Sequence, residues 1–134
     1  MIDHPAPFAV PLLAAIAVGG ALGATGRWGV GWVLDDLGSA TEPGVWPWAT
    51  LIVNVVGCLL IGLAARLLVP DTVAWAFVVT GILGGFTTFS AVAVELNDFA
   101  AASRLPMAIA YGTVSIAAGV AATFVARRPV EVGE

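Results

Sequence analysis

Apolar residues run along this chain in four long stretches, and polar residues gather between them. The stretches cover residues 8–34, 46–68, 73–99 and 105–126. Each reaches the roughly 20 residues that an α-helix needs to cross a hydrocarbon core. The connectors have a different character. "DDLGSATEPG" is acidic and rich in turn formers. "RLLVPD" holds Arg66, Pro70 and Asp71, and "NDFAAASRLP" holds Asp98, Arg104 and Pro106. The pattern predicts an all-α integral membrane protein, a single membrane domain over residues 1–134, with four transmembrane helices.

Composition supports this. Of the 134 residues, 60% are hydrophobic and 10% charged. A soluble fold would have too little polar surface to face water. Tryptophans fall where a bilayer interface is expected: Trp28 and Trp32 late in the first stretch, Trp46 and Trp48 opening the second, Trp75 opening the third. The N-terminal "MIDHPAPFAV" lacks a positive n-region, so the first stretch is expected to be a retained helix rather than a signal peptide.

Charge narrows the function classes. All five basic residues are arginines and form no basic run, so no nucleic-acid partner is expected. His4 is the sole histidine, and no nucleophile–base pair or metal-ligand cluster accompanies it. The chain therefore does not read as an enzyme. Cys58 is the only cysteine and reads as a small packing residue. Four crossings place Arg66, Arg127 and Arg128 on one side and Arg27 and Arg104 on the other. That bias weakly favours inside termini. It is equally compatible with insertion in both orientations and an antiparallel dimer.

Polar groups at membrane depth must face protein or a wet path. Thr50, Asn54 and Cys58 recur every four residues and share one helix face. Asn54 can serve as an interhelical hydrogen bond or aim an amide N–H at an anion. Tyr111, Ser115 and Gly119 form a second stripe, suited to packing or to lining a path. Gly19 with Gly23, and Gly20 with Ala24, are spaced for close helix contact. Arg27 can snorkel or set a positive field at a vestibule.

The third stretch carries "GILGGFTTFSAVAVE" over residues 81–95. Its glycines and threonines permit a break, and a break frees backbone carbonyls that need partners. Either the segment is a kink capped by threonine hydroxyls, or its carbonyls form a site for a hard cation. Phe89 follows at once, and the edge of a phenyl ring is positive. Glu95 lies toward the end of the stretch, where ionisation costs less.

"GALGATGRW", "TLIVNVVGCLLIG" and "GILGGFTTFS…E" together resemble the CrcB/Fluc family of small fluoride channels, and the resemblance covers nearly the whole chain. It implies four-helix subunits with a broken third helix, paired as an antiparallel, dual-topology dimer in the plasma membrane. It implies passive fluoride export that relieves toxicity, and a structural Na⁺ at the dimer centre. Carried over by residue, Gly84 and Thr87 would supply the Na⁺ carbonyls. Asn54, Thr88, Phe89, Ser90, Tyr111 and Ser115 would line the fluoride path. Arg27 and Glu95 would support the vestibule. Partners would be the fluoride ion, the lipid bilayer and a second subunit.

One position departs from that pattern. Val92 stands where a second phenylalanine is expected three residues after Phe89. The chain then conducts with one ring, pairs with a related chain in a heterodimer, or serves a structural role. A small multidrug exporter is a rival class, but it needs a mid-membrane carboxylate. The first, second and fourth stretches contain no Asp or Glu.

Overall fold

The computed structural model describes residues 9–36 and 45–128, and all regular structure among them is helical. The start of the first stretch at Phe8, His4 and most of the first connector lie outside the described residues. Four helical spans are long and apolar enough to cross a membrane: Val10–Leu34, Trp48–Leu67, Val73–Ala101 and Leu105–Arg127. The chain is a multi-pass membrane protein.

The spans differ from the sequence reading at their ends. The first helix runs on to Asp36. The second begins at Trp48 rather than Trp46, because Pro47 precedes its first turn and accepts from the Leu51 N–H at 3.2 Å. Proline lacks an N–H and suits a helix start. Thr72 caps the third span, accepting from the Trp75 N–H at 3.2 Å.

The third span is not one uniform helix. After Val73–Trp75 it winds as a π-helix over Ala76–Leu83, then makes the short turn Gly84–Phe86. Thr87 and Thr88 are extended, with φ/ψ of −75°/157° and −147°/123°. Helix resumes over Phe89–Ala101. Thr88 caps this last piece by accepting from the Ala91 N–H at 3.1 Å. The sequence reading contained no π-helix.

The first span packs along the N-terminal half of the third, and the second along the fourth. Small residues set both contacts. Gly19 and Gly23 are buried. A Cβ on Gly19 would meet the Phe77 carbonyl oxygen, and one on Gly23 the Ile82 carbonyl oxygen. The approach is backbone to backbone, so no flexible side chain can yield. Gly62 of the second span lies against the fourth, where a Cβ would stand 2.6 Å from the Thr123 oxygen. The Thr123 hydroxyl joins this pair of helices, donating to the Cys58 carbonyl at 3.2 Å and the Gly119 carbonyl at 3.1 Å.

This packing makes a signed prediction. Gly23→Ala should destabilise the protein by about 1–3 kcal/mol, the usual cost of overpacking. Gly29→Ala, which meets nothing within 4 Å, should be neutral or slightly stabilising through helix propensity. Thermal melts in detergent compare the two. Equal melting temperatures would contradict close packing at Gly23.

Candidate functional site

The site grows from the extended backbone at Thr87 and Thr88. In a continuous helix the Thr88 N–H would bond the Gly84 carbonyl. Here it donates to Asn54 Oδ1 at 2.8 Å. The Ala91 N–H, which would serve the Thr87 carbonyl, is on the Thr88 hydroxyl instead. The Gly84 and Thr87 carbonyls are thus both released from helical partners. The Thr87 carbonyl accepts from Arg27 Nη1 at 3.2 Å. The Thr88 carbonyl accepts from Asn54 Nδ2 at 2.9 Å.

Asn54 therefore grips one peptide segment with both ends of its amide. Only one amide orientation satisfies an N–H donor and a carbonyl acceptor together. One amide hydrogen remains for another acceptor. Thr87 reinforces the turn: its N–H and its hydroxyl both donate to the Leu83 carbonyl, at 3.0 and 2.9 Å. The Thr87 methyl lies against Gly57 of the second span, so closely that a Cβ there would collide with it.

A cleft of about 430 Å³ opens beside this segment. Arg27, Thr50, Thr88, Ser90 and Glu95 give it a polar lining, while Val53, Ala91 and Val94 are apolar. The Thr88 and Ser90 hydroxyls are 3.1 Å apart. Glu95 is held at both oxygens. Thr50 donates to Oε1 and the Tyr111 hydroxyl to Oε2, each at 2.5 Å.

Tyr111 is fully buried. Its ring meets Trp46 edge-on, with centroids 5.4 Å apart, and Phe99 at 6.0 Å. Ser115 lies one turn on. Its Oγ is buried and makes no hydrogen bond among the described residues. Phe89 points the other way, 79% exposed at the start of the C-terminal helix.

The sequence-selected residues thus fall into three groups. Arg27, Thr88, Ser90 and Glu95 share the cleft. Asn54, Gly84 and Thr87 form the interrupted segment beside it. Tyr111 and Ser115 lie inside the subunit, and Phe89 on its outside. Arg27 is tied to the Thr87 carbonyl. Val92 is only 6% exposed, packed with Leu51, Phe99, Ala108 and Tyr111. A residue at this position belongs to the subunit's own core. Sequence reasoning gave Thr50 no site role, although it lies one turn before Asn54 on the same stripe. Trp46 was read as an interface anchor, yet its ring supports Tyr111.

Among the described residues, no group of three His, Cys, Asp or Glu side chains could hold a metal. The carbonyls of Gly84 and of Thr87, the latter also held by Arg27, are hard oxygen donors of the type that suits a hard monovalent cation such as Na⁺.

Known proteins give this arrangement its context. The family model described as "CrcB-like protein, Camphor Resistance (CrcB)" matches residues 14–127. The "Fluoride-specific ion channel FluC 2" of Symbiobacterium thermophilum is 42% identical over 123 residues, covering 87% of this chain and 94% of that protein. The "Fluoride-specific ion channel FluC" of Thermus thermophilus is 38% identical over 117 residues, covering 84% and 88%. A "Fluoride-specific ion channel FluC 2" of Thermobifida fusca is 40% identical over 130 residues, covering 87% and 93%. The family match takes in most of the first span, the other three spans, the interrupted segment and every residue of the cleft, so the chain belongs to the CrcB family.

Proposed function

We propose that this chain is a fluoride-selective passive channel that exports fluoride across the plasma membrane and relieves its toxicity. Near-full-length similarity to proteins named as fluoride-specific channels carries this reading. The path would run past Asn54, Thr88, Phe89, Ser90, Tyr111 and Ser115, with Arg27 and Glu95 shaping its vestibule.

The chemistry of these groups suits a small, strongly hydrated anion. A pore must replace water with donors, yet hold the ion weakly enough to release it. Neutral hydroxyls, the spare amide hydrogen of Asn54 and the edge of Phe89 offer several modest sites. The buried Ser115 hydroxyl is a further neutral donor. Arg27 adds positive potential at the cleft.

The active assembly would be an antiparallel, dual-topology dimer, as the family resemblance implies; Phe89 at 79% and Val94 at 60% are exposed on the single subunit. These side chains await either lipid or a second subunit. The interruption in the third helix would face the dimer centre. Gly84 and Thr87 carbonyls from both subunits would hold a structural Na⁺ there. Bound, that ion supplies positive potential between the pores.

One observation favours a second reading, an obligate subunit of a heterodimer. Arg27 is engaged inside the bundle, leaving Arg104 to balance Arg66, Arg127 and Arg128. The loop bias then points more firmly to inside termini. A chain of fixed orientation would need a related partner inserted the other way.

Phe89→Ile tests the pore reading. It should lower fluoride efflux from reconstituted liposomes at least tenfold while leaving oligomeric state unchanged. Unaltered efflux would remove the Phe89 ring from the path.

A further inference from the structure

We infer that Arg27 is an internal cation for the interrupted third helix and that it weakens Na⁺ binding at the neighbouring carbonyls. The inference rests on the reading that Gly84 and Thr87 hold Na⁺, and it concerns what sets the affinity there.

The observation is one hydrogen bond with an unusual pair of ends. The donor is a permanent cation, Arg27 Nη1. The acceptor is the Thr87 carbonyl, 3.2 Å away. This carbonyl lacks its helical donor because the Ala91 N–H is on the Thr88 hydroxyl. The guanidinium therefore does what a bound cation would do: it neutralises a carbonyl dipole stranded at membrane depth. The bond is partly buried and joins residues 60 apart in sequence, so it also ties the first span to the third.

A carbonyl oxygen has two lone pairs, so Arg27 and Na⁺ can share Thr87. Sharing has a cost. Arg27 draws electron density from the same oxygen, and a cation held there would meet its full positive charge. Like charges sharing one oxygen repel strongly in a partly desolvated site. Arginine cannot relieve the repulsion by losing its proton. Removing the charge should therefore tighten Na⁺ binding and make folding depend more on Na⁺.

The test is a Na⁺ titration of thermal stability on the purified full chain in detergent. N-methyl-glucamine chloride holds ionic strength constant, and no fluoride is added. Wild type is compared with Arg27→Gln. The Na⁺ concentration giving half-maximal stabilisation should fall about tenfold or more in the variant, as loss of a nearby like charge implies. A variant that folds only when Na⁺ is present would support the inference equally. An unchanged or higher midpoint in Arg27→Gln would overturn it while leaving the cation site intact. No response to Na⁺ in either protein would overturn the cation site itself, and this inference with it. Should Arg27→Gln fail to fold at every Na⁺ concentration, Arg27→Met keeps the apolar stem and is judged by the same midpoint.

Discussion

Replacing Asn54 with alanine is expected to lower fluoride efflux at least tenfold and to loosen the interrupted third helix. The amide donates to the Thr88 carbonyl at 2.9 Å and accepts from the Thr88 N–H at 2.8 Å. Alanine leaves both backbone groups unpaired in a partly buried site. An unsatisfied buried donor or acceptor costs roughly 1–3 kcal/mol. Efflux falls because Thr88 and Ser90 share a hydroxyl contact that depends on where the Thr88 backbone sits. Asn54→Asp separates two roles. It keeps an acceptor for the Thr88 N–H but, when ionised, sets a carboxylate against the Thr88 carbonyl and repels an anion. It should therefore block efflux even where the fold survives. Liposome efflux and hydrogen exchange at the Thr88 amide measure the two effects. Wild-type values for both in Asn54→Ala would remove Asn54 from the site and from the clamp.

The second large effect is at Tyr111. Tyr111→Ala should cost about 3–5 kcal/mol, the range for emptying a buried aromatic position. The side chain has 0% exposure and touches Trp46, Phe99 and Val92 in the same core. Tyr111→Phe isolates the hydroxyl. It keeps the ring contacts but leaves Glu95 with Thr50 as its hydroxyl donor. A typical hydrogen bond contributes about 0.5–1.5 kcal/mol net, so the phenylalanine variant should lose no more than about half of what alanine loses. Melting curves in one detergent rank the two variants. Equal loss in both would mean that the ring contributes nothing. No loss in Tyr111→Phe would mean that Glu95 does not need this donor.

The four spans were legible because bilayer solvation selects long apolar runs and expels charge to the connectors. The helix interruption left a trace for the same reason: Gly84, Gly85, Thr87 and Thr88 are costly in a membrane helix unless something uses them. The partners of these groups were not legible. Asn54 read as glue between helices or as a donor to an anion, because its spacing fixes a helix face but not what lies opposite. The structure gives both ends of its amide to Thr88. Arg27 counted as a charge near the membrane edge, since its acceptor lies 60 residues away. Val92 read as the place of an absent pore ring, and the fold sets it in the same core as Tyr111. The π-helix of Ala76–Leu83 had no local signal, because apolar residues satisfy either helical winding.

The central claim is tested most directly by fluoride efflux from liposomes that contain only this purified chain, with chloride efflux measured in parallel. The account predicts rapid fluoride loss and chloride retention. Equal efflux of both ions, or no fluoride efflux from protein shown to be folded, would contradict it.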